Sequence, residues 1–514
     1  VSPGVLARLL ALAAGALSVF AFAPFHAVPL GVASLVTLFW LWQRAATARD
    51  GALVGFAFGL GMFGAGVSWV FVALETFGGM PMPVAIVSTA GFVAYLALWP
   101  ALAGFVVARA TRPESLARLV AAAAAWTLTE WLRGTVLSGF AWQAIGYPEI
   151  LPGGALPLAG YAPVGGVALV SLAAAGCAAA AVAAIDGLAS ARRRRVMGAI
   201  LVGVGLVTVG AFLQRIEWTV PAGEPVSISL VQGNVAQAQK FDPAFRATNI
   251  ERYIEMIEAA RGRIVVLPES AFPQFADEIP PEVFRRIADL GRARDGAVLV
   301  GLFVAEPPAA PGEGERIHNS VVSLGAAPPQ LYRKHHLVPF GETIPFKPVT
   351  GWFINQVLAI PLADQAAGPA MQAPFAVAGQ RIAVNICYED VFGSELLAAA
   401  RASTMLVNVT NDAWYGRSIA ARQHNQIAAM RALETGRPML RATNTGITSA
   451  IAHDGRVLAE MPWFTRGILE VEIAGRTGDT PYARAGDWPV VLLCAALLAL
   501  AIARDGRVFA RGNR

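Results

Sequence analysis

Eight stretches of this chain are apolar for long enough to cross the ~30 Å hydrocarbon layer of a bilayer as helices. They fall at about 5–23, 29–43, 52–74, 83–107, 115–135, 163–185, 196–213 and 488–503. A bilayer core offers no water to an unpaired backbone group, so runs of this kind are confined to helices. The expected architecture is a polytopic α-helical membrane bundle of about eight spans. Composition agrees: the chain is 55% hydrophobic and only 15% charged, with a mean hydropathy of +0.53, whereas a soluble domain is about one-quarter charged. The first run ends in Ala21-Phe22-Ala23-Pro24, a little like a cleavage site, but seven further spans follow and an uncleaved first helix is expected.

Arginines mark one face of this bundle. Arg8, then Arg44 and Arg49, then Arg109, Arg112 and Arg118, then Arg192 to Arg195, then Arg504, Arg507 and Arg511 occupy alternate connections. The connections 24–28, 75–82 and 136–162 carry no Lys or Arg. By the positive-inside rule both termini are expected in the cytoplasm, and the long polar segment between the seventh and eighth spans on the far side. The domains expected are a seven-helix membrane domain at 1–215, an extracytoplasmic domain at 216–480, and an eighth helix with a cytoplasmic tail at 481–514. Gly51, Gly55, Gly59 and Gly61, in and just before the third run, have the small-residue spacing that lets helices approach closely. Glu130 and Arg133, three residues apart near a membrane boundary, are read as an interfacial ion pair.

The polar segment is built differently. Short β-rich runs (VSISLV, RIVVLPES, AVLVGLFV, HNSVVSL, RIAVNICYED, MLVNVTND, PMLRATNTG, ITSAIA) alternate with amphipathic helical stretches near 243–260, 281–294 and 419–436. Roughly 260 residues of this pattern make one α/β domain. Pro-rich stretches such as EPPAAPGEG read as surface loops.

One run of this domain ends in chemistry. Ile382 to Ile386 reads as a buried strand, and it stops abruptly at Cys387-Tyr388-Glu389-Asp390. Ligands of open α/β sheets sit beyond the carboxyl ends of strands, which places Cys387 at the mouth of a site. The other two cysteines, Cys177 and Cys494, lie in apolar runs, so no disulfide framework is expected. A free thiol near pKa 8.5 needs help to become a nucleophile. RIVVLPES ends another strand in Pro268-Glu269 and offers a base. Lys334 follows a short strand and precedes a Pro/Gly loop. Only Lys240, Lys334 and Lys347 among the 40 basic residues are lysines, which points to a compact ammonium at 334 and not a planar fork. Beside a thiol it lowers the pKa and stabilises an oxyanion. Glu342, eight residues on, is placed to hold it. His335, His336 and His424 lack a ligand set, so no metal is expected. No cofactor motif and no basic stripe for nucleic acid is present.

Glu, Lys and Cys in this order, at LPES, YRKHHLVPFGE and NICYED, resemble the nitrilase superfamily. The intervals of 65 and 53 residues add to the likeness. It implies an α-β-β-α sandwich over roughly 225–475, followed by NVTNDAWYG and RQHNQIAAMRALETG as that fold has them. SGFAWQAIGYPE (138–149) and VQGN (231–234) extend the resemblance over nearly the whole chain, to the apolipoprotein N-acyltransferase family, in which such a domain is inserted between the seventh and eighth membrane helices. What the resemblance implies is transfer of a fatty acyl chain from a membrane phospholipid to the α-amine of a diacylglyceryl-cysteine in a bacterial apolipoprotein, at the outer face of the inner membrane, by a monomer without cofactor. Glu269 is then the base, Lys334 the oxyanion stabiliser and Cys387 the acylated nucleophile. Glu342 and Glu389 are supporting acids, and Asn319 organises the lysine loop. Tyr388 is a pocket position, and Phe241 and Trp414 are substrate-binding positions. Phe241 departs from the tryptophan expected there. Two rivals are a membrane-tethered amidase or lipid hydrolase, which does not explain eight spans, and a transporter with an extracytoplasmic domain, which would carry more charge within its spans.

Overall fold

The structure is a computed structural model that describes residues 3–308, 314–344 and 364–505. Residues 309–313 of the EPPAAPGEG stretch, Lys347, Arg507 and Arg511 lie outside the described residues.

Each of the eight apolar runs lies on helix. Five spans among the described residues are long and apolar enough to cross a membrane: Gly4–Ala21, Met82–Ala110, Pro157–Ala189, Arg193–Leu213 and Trp488–Asp505. Ala48–Gly66 and Val70–Phe77, bent by 57°, make a sixth if taken as one span. The other two runs fall short for definite reasons. Val28–Arg44 has only 17 residues, and Leu116–Arg133 contains Arg118, Glu130 and Arg133.

Small residues set the helix spacing. A Cβ on Gly51 would stand 2.3 Å from the Gly104 carbonyl oxygen, one on Gly55 2.2 Å from that of Pro100, and one on Gly61 2.0 Å from that of Leu12. The glycine stripe of Ala48–Gly66 is therefore in backbone contact with Met82–Ala110 on one side and Pro3–Ser18 on the other. Glu130 and Arg133 do not form the expected pair. Glu130 Oε2 accepts from the Ile145 amide at 2.9 Å, and Arg133 Nη1 donates to the carbonyls of Phe140 and Trp142 at 2.6 and 2.5 Å. Both charges hold the connection 139–146, because its irregular backbone offers them groups that helix cannot.

The polar segment forms two six-stranded sheets. One runs Gly467–Thr477, Val220–Gln232, Ile264–Val266, Ala297–Glu306, Arg316–Gly325, Gln330–Arg333. The other runs Val457–Glu460, Ser449–Ile451, Met439–Thr443, Met405–Thr410, Gln380–Ile386, Phe375–Val377. Three neighbouring strands of each are parallel and the flanking ones antiparallel. Successive side chains of a strand face opposite ways. Ile264, Val266 and Leu299 thus share a core with Ile382, Val384 and Val407 of the facing sheet. Val265, Val298 and Val300 turn outward to Tyr253, Ile254 and Ile257 of helix Arg246–Ala259 and to Ile287 of Pro281–Ala293. Gly393–Ala402 and Ala420–Thr435 cover the second sheet. This is the α-β-β-α sandwich.

The strands Phe375–Val377, Val457–Glu460 and Gly467–Thr477 are not marked by apolar runs, since as outer strands they need only one buried face. Ala420–Thr435 differs from the amphipathic helix expected there. Every residue of it except Arg422 is buried, because its outer face rests on the membrane helix Ala162–Ala189. Its polar residues are internal partners and not a solvated face.

Candidate active site

Parallel strands deliver their carboxyl ends to one edge of the sandwich, and the site is assembled there from both sheets. Glu269 follows Ile264–Val266 and Lys334 follows Gln330–Arg333 in the first sheet. Cys387 follows Gln380–Ile386 and Asn411 follows Met405–Thr410 in the second. Cys387 opens a short 3-10 helix, Cys387–Val391, with φ at +53°. A non-glycine residue in the left-handed region is uncommon and strained, and such strain concentrates where a side chain must be aimed.

Glu269 is held on both oxygens. The Asn319 amide donates to Oε1 at 2.7 Å, and the Asn411 backbone N–H donates to Oε2 at 2.8 Å. Lys334 Nζ lies 3.6 Å from Glu269 Oε1 and 2.8 Å from Glu342 Oε1. Glu342 Oε2 in turn accepts from the Val338 amide at 2.9 Å, which closes the loop around the ammonium. Burial alone would depress the Lys334 pKa, but Glu342, Glu269 and Cys387 outweigh it and hold the amine firmly protonated.

Cys387 is buried, and its thiol is pushed well above its usual range. Burial is the largest cause and the negative charge of Glu269 the next; Lys334 and a hydrogen bond from Thr410 pull the other way. The expectation that Lys334 lowers the thiol pKa is therefore met in direction by that residue but lost in the sum. A thiol pushed up in this way requires a base to become a nucleophile, and of the charged groups acting on it the Glu269 carboxylate has the largest effect.

Glu389 is not positioned to exchange protons with the thiol. Its carboxylate accepts from the Tyr332 hydroxyl at 2.9 Å and from the amides of Ile386, His335 and His336 at 2.6, 2.7 and 3.1 Å. It clasps the lysine loop to the cysteine strand, so it fixes the distance between the two groups. Tyr388 donates to the Gly139 carbonyl at 3.2 Å and stacks on Trp142, ring centroids 6.5 Å apart. This joins the residue next to the nucleophile to the membrane-side connection, and gives SGFAWQAIGYPE a physical role. Trp414 is half-buried and packs edge-on against Phe77 of the bent membrane segment, at 6.2 Å. Phe241 is half-buried at the end of the short helix Gln237–Lys240, and no polar or ring contact ties it to Glu269, Lys334 or Cys387 among the described residues.

Several groups were not singled out by sequence reasoning. Lys240 is buried, and its Nζ donates to the Glu269 main-chain carbonyl at 2.8 Å. Burial brings its pKa down to about 8, against the opposing charges of Glu269 and Cys387. The scarcity of lysine was a usable signal, applied only to Lys334. Beneath Cys387, His424 bridges Asp390 Oδ1 at 2.7 Å and Asp412 Oδ1 at 3.0 Å, and Arg441 Nη1 meets Asp390 Oδ2 at 2.5 Å. Asp390 and His424 were noted in the sequence, but not their link to each other or to Asp412 and Arg441, because the four members come from four separated segments.

A buried thiol, carboxylate and ammonium at one edge of an α-β-β-α sandwich define a class of enzymes with a cysteine nucleophile, and residues 227–482 match the carbon-nitrogen hydrolase family. Residues 14–180 match the apolipoprotein N-acyltransferase N-terminal domain. The apolipoprotein N-acyltransferase of Nitrosomonas europaea is 44% identical over 496 residues, covering 96% of this chain and 97% of that one. That of Methylococcus capsulatus is 44% identical over 504 residues, covering 98% and 97%, and that of Chromobacterium violaceum 41% identical over 503, covering 97% and 94%. The chain belongs to the apolipoprotein N-acyltransferase family.

Proposed function

We propose that this protein moves a fatty acyl chain from a membrane phospholipid to the N-terminal amine of a diacylglyceryl-cysteine on a bacterial apolipoprotein, through a thioester on Cys387. Glu269 takes the thiol proton as sulfur attacks the ester carbonyl, and Lys334 stabilises the oxyanion. The carbon–oxygen ester bond then breaks and Glu269 returns the proton to the departing lysophospholipid. In the second half the acceptor amine attacks the thioester, the carbon–sulfur bond breaks, and the amine proton passes by way of Glu269 to the thiolate. Glu342 and Asn319 hold the charged pair, and Glu389 fixes the loop that carries Lys334. Phe241 and Trp414 serve at the substrate mouth.

The observation that carries this reading is the anchoring of the cysteine turn in the membrane half. Tyr388 bonds Gly139, and Gln423 Oε1 accepts from Trp142 Nε1 at 2.8 Å, so the site stands on the bundle itself. Two lipid-borne substrates require that placement, whereas a small amide does not. The domains are a membrane part at 1–215, a catalytic part at 216–480 and a final helix with tail at 481–514. The catalytic part faces the periplasm from the inner membrane, both termini are cytoplasmic, and one chain supplies the whole site.

Purified protein given phospholipid alone should form acylated Cys387, release roughly one lysophospholipid per enzyme, and stall, as a covalent intermediate without acceptor does. A peptide beginning in diacylglyceryl-cysteine should then discharge it as an amide with ping-pong kinetics. Cys387→Ala should form no adduct. Steady release of free fatty acid without acceptor would identify a lipid hydrolase and end this reading.

A further inference from the structure

Two of the three lysines in this chain are buried in the same site, and both address Glu269. Lys334 faces its carboxylate from one side and Lys240 holds its main-chain carbonyl from the other. The partner of Lys334 is explained by Glu342. Lys240 has no such carboxylate: its hydrogen-bond partner among the described residues is the neutral Glu269 carbonyl. A buried ammonium without an ion-pair partner is costly, and the cost has a visible consequence in its pKa of about 8.

The segment carrying it is tied down on purpose. Asn444 brackets Val235, accepting its amide at 2.9 Å and donating to its carbonyl at 2.8 Å. Gln237 Oε1 accepts from the Asn411 side chain at 2.9 Å, and the backbone amide of that same Asn411 binds Glu269 Oε2. Residues 234–240 therefore form a wall that meets Glu269 at both its main chain and, through Asn411, its side chain. Charge counting adds a reason for the lysine. With Glu269 and Glu342 ionised and Lys334 protonated, the buried cluster carries one excess negative charge, which opposes forming another on sulfur or oxygen. A protonated Lys240 brings the cluster to neutrality, and proton transfer from thiol to Glu269 leaves that sum unchanged.

We infer that Lys240 is a positioning residue for acyl transfer, which fixes the Glu269 turn and supplies the second cation that lets Cys387 surrender its proton inside a buried site. This rests on the proposed roles of Glu269 and Cys387. A neutral residue of similar length should keep the fold and lose the charge, and arginine should keep the charge. The groups that face Lys240 from the other elements are Glu269 and Cys387, with Lys334 and Asp412 beyond them.

Full-length Lys240→Met, Lys240→Arg and unaltered protein would be compared in detergent for alkylation of Cys387 by iodoacetamide across pH, read by peptide mass. Acylation by phosphatidylethanolamine micelles would be followed in parallel. Lys240→Met should displace the alkylation curve upward by about one pH unit, a drop of ~10-fold at fixed pH, and slow acylation by a similar factor. Lys240→Arg should restore most of the alkylation curve. An unshifted curve with unchanged acylation in Lys240→Met overturns the inference, as does a Lys240→Arg curve displaced as far as that of Lys240→Met, which would mean packing and not charge. Alkylation needs no acyl transfer, so if unaltered protein forms no acyl-enzyme, the functional reading fails while the alkylation curves still decide the role of Lys240.

Discussion

Cys387 shows how far a single residue is made by its surroundings. Its left-handed φ costs about 1 to 3 kcal/mol, and burial keeps its thiol protonated. Both penalties are maintained by groups fixed around it: Glu389 clasping the lysine loop, Asn319 and Asn411 on Glu269, and Glu342 on Lys334. The ammonium of Lys334 sits in a space bounded by two carboxylates, and a guanidinium cannot place its charge on the same point. Lys334→Arg should lower the acylation rate ~100-fold to 1000-fold, the range for loss of one oxyanion donor, with little change in melting temperature. Near-normal turnover in a single-turnover assay would reduce Lys334 to a structural charge. Glu342→Gln tests the same loop: it leaves a neutral acceptor for the ammonium, and acylation should slow by a smaller factor than in Lys334→Arg.

At the scale of elements, the helix Ala420–Thr435 couples the two halves of the protein. It touches the second sheet on one side and Ala162–Ala189 on the other, so its polar residues face partners in both directions. Glu434 Oε1 accepts from the Val167 amide at 2.6 Å, next to the break at Gly165 and Gly166, and its carboxylate is held by Arg431 at 2.9 Å. It thus caps the first free amide of a membrane helix that restarts after a kink. Glu434→Ala would leave Arg431 buried without that partner and should cost about 3 to 5 kcal/mol, seen as a lower melting temperature in detergent; an unchanged melt would show that the cap is dispensable. His424, on the same helix, has its pKa raised to about 9, with Asp390 and Asp412 overcoming burial and the repulsion of Arg441. A group raised above its unfolded pKa of about 6.5 stabilises fully below that value, and the contribution is lost as pH climbs through about 9. The unaltered protein should therefore lose melting temperature between pH 6.5 and 9 relative to His424→Gln. Parallel pH profiles for the two would mean that the imidazole is not charged in the fold.

For the whole molecule the question is which way it sits in the membrane. In the orientation we propose from the arginine alternation, the connection at 192–195 is cytoplasmic and the catalytic part lies outside. Engineered cysteines at Arg194 and Glu282, both exposed, should divide in intact spheroplasts treated with an impermeant thiol reagent: Glu282→Cys labels and Arg194→Cys does not. The opposite pattern would reverse the orientation and remove access to exported lipoproteins.

The apolar runs were legible in the sequence because a bilayer permits them no structure but helix, and the sandwich strands because buried parallel strands are almost continuously apolar. Glu269, Lys334 and Cys387 were legible for a related reason, since each interrupts an apolar or extended run with a charged or nucleophilic group at its end. The outer strands, the buried setting of Ala420–Thr435 and the true partners of Glu130 and Arg133 were not. Each depends on which surface another element covers, and local pattern does not encode that. Only the tertiary structure shows that Glu389 bonds the backbone of both the lysine loop and the cysteine strand, that burial and Glu269 push the thiol upward, and that Lys240 stands behind Glu269. Those outcomes are sums of burial and charge over segments separated along the chain, and only the folded chain brings the contributing groups within range of one another.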